Sequence, residues 1–258
     1  MVRFGACGAF ESAELLLDAG FEIVELPVFS LFETDTYADN ISLAGKLETY
    51  NCFVPGSIKV VGPSVEWPAV EKYVVTVMDR IVVLGGDLVV FGSGAARRIP
   101  EGYSREEARR DTLAFLKIAG DQASSRGVTV AIEPLNTGEC NWINSVEEAH
   151  SLAVELNHPA VGVLSDLYHV SLENESYEGM RAAGQYLKHV HVASPITREA
   201  LSKADLPVLC AYFKVLKEMG YDGRIVLECN WKDMASEAAA ARATLVEAWA
   251  TVLVSSTS

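Results

Sequence analysis

The sequence is poor in basic residues and in histidine. It has 21 Lys and Arg residues against 35 Asp and Glu residues, which gives a net charge of −14, and it has five histidines. A protein this acidic repels the phosphates of nucleic acids and the anionic face of membranes. We therefore expect neither nucleic acid nor a membrane as a partner.

Cysteine pairs and long apolar segments are both missing. The five cysteines are scattered and never form a C-x-x-C pair, which argues against a disulfide framework or a thiolate zinc site. The chain also contains no run of 18 uncharged apolar residues, and its N-terminus lacks the apolar core of a signal peptide. These absences predict a cytoplasmic protein without a transmembrane helix.

Several common catalytic motifs are absent as well. The sequence contains neither G-x-x-x-x-G-K-[ST] nor G-x-S-x-G, which excludes P-loop phosphotransfer and α/β-hydrolase chemistry. Gly92 and Gly94 follow an apolar run, but the third glycine of a dinucleotide-binding loop is missing. Nicotinamide binding is therefore not expected.

What the sequence does contain is a regular alternation of short β-branched runs with helical patterns. Such alternation, repeated eight times with strands apolar on both faces, predicts a closed parallel barrel of the TIM (β/α)8 type. No shift in composition divides the chain, so we expect one α/β domain over residues 1–258. A doubly wound open sheet is the alternative. The predicted strands are Arg3–Cys7, Phe21–Leu26, Tyr50–Phe53, Leu88–Gly92, Val128–Glu133, Val161–Asp166, Leu187–Val192 and Arg224–Glu228.

Polar residues end the last four predicted strands. They are Glu133, Asp166, His191 and Glu228. In a barrel these ends converge on one mouth, where three bare carboxylates would repel each other strongly. A divalent cation removes that repulsion, so we predict a metal site, although a single acidic residue at a strand end can also be the cap of the next helix.

The predicted ligand set consists of three carboxylate oxygens and one imidazole. Such ligands suit Mn²⁺, Mg²⁺ or Co²⁺ better than a thiolate-rich zinc site would, with iron and Zn²⁺ as alternatives. His189 lies two residues before His191 on the same strand face, so we interpret it as a deeper core residue. His169 follows Asp166 by three residues and is a candidate donor to a substrate oxygen.

The motifs together resemble the xylose-isomerase-like TIM-barrel superfamily of sugar phosphate isomerases and epimerases, and within it the D-tagatose/D-psicose 3-epimerase branch. The matching segments are Ile132–Asn136 with Glu139, Asp166–His169, His189–His191 and Ile225–Glu228. The resemblance implies that Glu133, Asp166, His191 and Glu228 bind one Mn²⁺-like ion. It also implies that Glu133 and Glu228 are the acid/base pair and that Glu139 and His169 hold the substrate.

The resemblance implies a metal-dependent isomerase, either an epimerase or an aldose–ketose isomerase, which moves a proton of a ketose or related keto-sugar through an enediolate. Two alternatives remain open. One is a lyase, such as a 3-dehydroshikimate dehydratase-like or C-glycoside-cleaving enzyme, and the other is a non-catalytic sugar-binding barrel. Endonuclease chemistry of the same superfamily needs more histidines than this chain has. A homo-oligomer is also open, since Trp249 either packs or meets a partner subunit.

The sequence departs from that branch at two places. In the branch an arginine follows the ligand histidine by six residues, whereas here Arg198 follows His191 by seven. We expect Arg198 to contact the substrate, but the departure leaves open whether that substrate is a free ketose. The second departure is the segment Gly92–Gly102, which is unlike that of the branch and lies at the barrel mouth by strand position. There Arg97 or Arg98 is expected to bind a carboxylate or phosphate of the substrate, unless the segment is a surface loop paired with acidic residues.

Overall fold

The first and last strands of the chain pair with each other and close a cylinder. In the computed structural model, which describes residues 1–33 and 37–253, eight parallel strands run in sequential order around a barrel. The pairing of Phe4 with Ile225 closes it. The strands are β1 (Arg3–Cys7), β2 (Ile23–Pro27), β3 (Thr49–Asn51), β4 (Leu88–Phe91), β5 (Thr129–Ile132), β6 (Val161–Asp166), β7 (Leu187–Val192) and β8 (Arg224–Leu227).

This architecture confirms the predicted TIM barrel and excludes the doubly wound open sheet, whose edge strands do not meet. The predicted strand boundaries agree with the observed ones to within two residues at each end. The least regular unit is the second, where the described part of the connection between β2 and β3 holds one short helix and a 3₁₀ segment, Tyr37–Leu43.

Helices cover the outside of the barrel. Within the described residues they are α1 (Ala13–Asp18), α2 (Ser30–Glu33), α3 (Trp67–Val83), α4 (Gly94–Arg97), α5 (Arg105–Ser124), α6 (Val146–Leu156), α7 (Leu167–Leu172), α8 (Glu178–Ala183), α9 (Leu206–Glu218) and α10 (Met234–Thr251). Ser104 begins α5 with a complete capping box, in which the side chains of Ser104 and Glu107 each accept from the other residue's backbone N–H. Among the described helices, none is long and apolar enough to cross a membrane.

Side-chain alternation along the strands separates two cores. Outward residues pack against the helices, as Phe91 of β4 does on Phe115 of α5 with ring centroids 4.6 Å apart. Inward residues such as Val90 and Leu164 form a smaller apolar cluster inside the barrel. The inward positions nearest the carboxyl ends of the strands are polar instead, which places the polar groups at one mouth of the barrel.

Arg97 corrects a prediction made from the sequence. Its side chain is fully buried rather than open at the barrel mouth. The guanidinium donates to the carbonyl oxygens of Phe91 at 2.8 Å, Glu133 at 2.8 Å and Ile143 at 3.3 Å. Because its donors are directed at these carbonyls, Arg97 does not reach an anionic substrate, and it does not pair with surface acids either. It ties the ends of β4 and β5 together.

Replacing Arg97 with Met tests this structural role. Arg97→Met keeps most of the side-chain volume but leaves the buried Glu133 carbonyl without its donor, at a cost of about 1–3 kcal/mol, whereas the carbonyls of Phe91 and Ile143 keep backbone donors. We expect the free energy of unfolding, measured by urea denaturation, to fall by about 1–3 kcal/mol. The matched control is Arg98→Met, since Arg98 is exposed and donates to Glu139 O; we expect a change within about 0.5 kcal/mol. Equal stability of the two variants would contradict this role.

Candidate metal centre

Four neighbouring strands deliver one polar side chain each to the same point. Asp166 is the last residue of β6 and His191 the last but one of β7, while Glu133 and Glu228 directly follow β5 and β8. Each lies two residues beyond an inward-facing position of its strand, so the two-residue period directs all four side chains into the barrel mouth. The barrel register therefore brings these four predicted residues together.

The imidazole of His191 is at the centre of the cluster. Its Nδ1 lies 3.3 Å from Oε1 of Glu133 and 3.5 Å from Oε2 of Glu228. One potential ligand atom from each of Glu133, Asp166, His191 and Glu228 lies within 4.8 Å of the others. Ligand atoms about 2.1 Å from one ion lie at most about 4.2 Å apart, so these four atoms are near the separation that one shared cation requires.

Asp166 has one oxygen with a partner and one without. Its Oδ1 accepts from the backbone N–H of Tyr168 at 2.7 Å and so caps α7. For this oxygen the alternative prediction, that a strand-end acid caps the next helix, is confirmed. Its Oδ2 is buried and has no hydrogen-bond partner. Burial, with Glu228 nearby, raises the pKa of Asp166 to about 6. Its Oδ2 lies 3.7 Å from Nε2 of His169, which is too far for a hydrogen bond. A buried carboxylate oxygen without a hydrogen-bond partner is a donor that fits a hard divalent cation.

The two glutamates have opposite electrostatic environments. Burial raises the pKa of Glu133, and the nearby charge of Glu228 raises it further. Burial also disfavours the charge of Glu228, but His191 and Arg198 outweigh it and lower its pKa to about 2. For His191 burial opposes the charge as well, yet Glu25 and Glu228 raise its pKa well above the ordinary value. Before a cation binds, the surroundings thus favour the charged form of Glu228 and disfavour that of Glu133.

The residues expected to hold a substrate also lie at this mouth. Arg198 donates to Glu139 at 3.0 Å and to Glu228 at 2.8 Å, and its guanidinium lies 5.0 Å from the ring centroid of Tyr168. His169 is buried, with Nδ1 2.9 Å from the side-chain amide nitrogen of Asn136. Its Nε2 has no hydrogen-bond partner. The structure therefore brings Glu139, His169 and Arg198 to the cluster, in contrast to Arg97.

A cavity of about 540 Å³ opens above the cluster. Glu133, Glu228 and Arg198 line its polar side, while Phe29 and Val54 belong to its apolar side. The volume lies within the range of about 300–1,000 Å³ that is usual for small-molecule sites. The cavity thus joins the carboxylate cluster to space for a ligand.

Two site residues were not found by sequence reasoning. Asn51, at the end of β3, donates to Oε1 of Glu228 at 3.2 Å. Glu25 of β2 is fully buried below the cluster, with Oε1 2.9 Å from Nε2 of His191. The signal for Glu25 was a lone acid inside an otherwise apolar strand, Ile23–Pro27. His189, interpreted as a deeper residue, does lie below His191, with Nε2 2.8 Å from Oε2 of Glu25.

Comparisons with known proteins agree with the architecture. The model of the xylose isomerase-like TIM barrel family matches residues 13–248. The ketose 3-epimerase of Arthrobacter globiformis is 27% identical over 236 residues, which cover 88% of this chain and 79% of that protein.

Solved structures of the same fold cover almost the whole chain. The D-allulose 3-epimerase from Methylomonas sp. in complex with D-allulose has a TM-score of 0.83 at 20% identity and covers 95% of this chain and 96% of its own. The IolI protein with a bound zinc atom has a TM-score of 0.76 at 17% identity, with 97% and 99% covered. At these identities both show the shared fold alone. Since the family model spans most of its length, the chain belongs to the xylose isomerase-like TIM barrel family, as its motifs predicted.

Proposed function

We propose that the protein is a divalent-metal-dependent sugar isomerase, most closely described as an epimerase of a ketose or related keto-sugar. The observation that carries this proposal is the convergence of Glu133, Asp166, His191 and Glu228 within 4.8 Å, directly below a cavity. The ketose 3-epimerase similarity over 88% of the chain supports it. So does the D-allulose bound to the Methylomonas protein of the same fold.

The proposed ligands of the cation are Glu133, Asp166, His191 and Glu228. Three carboxylates and one imidazole favour Mn²⁺, with Mg²⁺, Co²⁺ and Zn²⁺ as alternatives, and the zinc atom of the IolI protein is consistent with a metal site in this fold. When bound, the cation supplies Lewis-acid polarisation of the substrate carbonyl, which makes the neighbouring C–H bond acidic.

The proton is moved by the two glutamates. Glu228 is ionised and is held by Arg198 and Asn51, so it is the proposed base that removes the C–H proton and leaves an enediolate. Glu133, whose pKa is raised by burial, is the proposed acid that returns a proton. Two carboxyl groups whose pKa values are moved in opposite directions are a common way to divide acid and base roles. Return to the opposite face of the same carbon inverts it, which is epimerisation.

The substrate hydroxyls would be held by groups that now pair with each other. Arg198 bridges Glu139 and Glu228, and Nε2 of His169 lacks a partner. A polyhydroxylated ligand can satisfy these donors and acceptors, whereas an apolar ligand would leave them unpaired. We therefore place a sugar oxygen between Arg198, Glu139 and His169.

Hydrogen exchange with solvent tests the proposed function. The protein is incubated with Mn²⁺ and D-allulose in D₂O, and the C3 proton is followed by ¹H NMR. We expect metal-dependent loss of that signal together with a new epimer. A new ultraviolet-absorbing enone would indicate the lyase instead, and sugar binding without exchange for any ketose would indicate a non-catalytic barrel. Either of those results contradicts the proposal.

The base role of Glu228 predicts the behaviour of Glu228→Gln. The amide keeps the shape but cannot accept the proton, so we expect exchange at saturating Mn²⁺ to fall by about 10²- to 10⁴-fold. Glu48→Gln is the control, because Glu48 pairs with Arg3 and Arg224 at the amino-terminal end of the strands. Exchange at the wild-type rate in Glu228→Gln would remove Glu228 from the mechanism.

Gly92 leaves room for the Glu133 carboxylate. A Cβ atom at position 92 would overlap Oε2 of Glu133. The overlapped atom is the end of a flexible side chain, so the backbone can stay in place while the carboxylate must move. Glycine at this position therefore serves the site more than the fold.

Gly92→Ala should lower metal affinity without lowering the stability of the fold. We expect Mn²⁺ affinity, measured by calorimetry, to fall at least about 10-fold, since ligand groups tolerate displacements of only about 0.5 Å, with a melting temperature near that of the wild type. The matched control is Gly94→Ala on the same loop, whose Cβ would meet Leu135 rather than a carboxylate. Unchanged affinity in Gly92→Ala would contradict the proposed placement of Glu133.

A further inference from the structure

A buried carboxylate that none of the preceding roles uses lies directly beneath the cluster. Glu25 of β2 is fully buried. Its Oε2 lies 2.8 Å from Nε2 of His189 with hydrogen-bond geometry, and its Oε1 lies 2.9 Å from Nε2 of His191 as a short ion-pair contact. The thiol of Cys7 is 3.5 Å from Oε1.

A buried carboxylate is costly unless other groups compensate its charge. The ion pairs found among the described residues give Glu25 two imidazole partners. The Glu25 carboxylate therefore lies between two histidine rings.

The orientation of the His191 ring follows from this charge. A neutral imidazole carries one N–H, and a carboxylate accepts but does not donate. Nε2 lies 2.9 Å from Oε1 of Glu25 but outside hydrogen-bond geometry, whereas Nδ1 has that geometry to Oε1 of Glu133. With its hydrogen on Nε2, on the Glu25 side, the ring leaves the lone pair of Nδ1 facing Glu133 and Glu228 at 3.3 and 3.5 Å. With the hydrogen on Nδ1, that lone pair would be lost to a cation.

We propose that Glu25 is a positioning residue for the cation, holding His191 in the tautomer and orientation in which Nδ1 is the ligand atom. The inference rests on the metal site of the proposed function. Metal-binding histidines commonly donate their second N–H to a carboxylate, and loss of such a partner typically weakens metal binding by about 10- to 100-fold.

His189 completes the arrangement by fixing the carboxylate itself. Its ring is fully buried and lies 4.9 Å from that of His191, nearly perpendicular to it. Its Nε2 lies 2.8 Å from Oε2 of Glu25, and because a carboxylate only accepts, the hydrogen of this pair is on Nε2. Because one carboxylate oxygen is engaged by His189, the other is directed at His191.

Glu25→Gln tests the inference through metal binding rather than turnover. The glutamine amide has one accepting oxygen, so it can accept from one imidazole but not from both. We expect Mn²⁺ affinity, measured by calorimetry, to fall about 10- to 100-fold. Glu48→Gln also removes a carboxylate paired with two basic groups, Arg3 and Arg224, but at the other end of the barrel, and it should bind Mn²⁺ like the wild type.

A second measurement, on the wild-type protein, tests the inference even if the Glu25→Gln variant does not fold. ¹⁵N NMR of the Zn²⁺-loaded protein should show His191 with hydrogen on Nε2 and metal on Nδ1. Hydrogen on Nδ1, or wild-type Mn²⁺ affinity in folded Glu25→Gln, overturns the positioning role alone. A wild-type protein that binds no divalent metal overturns the proposed function as well, so the two failures are distinguishable.

Discussion

The mutual repulsion of three neighbouring carboxylates is the constraint on which the site depends. Glu133, Asp166 and Glu228 meet around one imidazole, the first two buried and Glu228 partly buried, so water screens their charges only in part. The structure partly offsets this repulsion with His191 and Arg198, and it still leaves an oxygen of Asp166 unpaired. Such an arrangement is costly for an apo protein. The proposed cation would make it favourable, and metal binding would then be linked to the stability of the barrel mouth.

Different parts of the fold supply stability and position the charged groups. The outer helices and the apolar interior, such as Val90 and Leu164, supply stability away from the charges. Arg97 ties the carbonyl of Glu133 to the end of β4, so the backbone of that glutamate is anchored while its side chain faces the cavity. Glu25 and His189 form the polar floor. The groups of the candidate site are thus supported from behind by buried hydrogen bonds and ion pairs.

Much of this was accessible from the sequence because it follows from periodicity. Alternating strands and helices give a barrel, and the two-residue period of a strand then places the polar ends at one mouth. The positions of Glu25 and Arg97 were not accessible, because each depends on contacts between distant strands. Glu25 meets a histidine 164 residues away, and Arg97 turns inward to carbonyls that only the folded loops bring together. An arginine in a predicted loop otherwise favours a surface position.

The central claim is that the four strand-end residues share one cation, and anomalous diffraction from crystals soaked in Mn²⁺ tests it most directly. The account predicts a single anomalous peak at the barrel mouth, bonded to Glu133, Asp166 and Glu228 and to Nδ1 of His191. A well-ordered site with no peak among these residues, or a peak held by other groups, would contradict it.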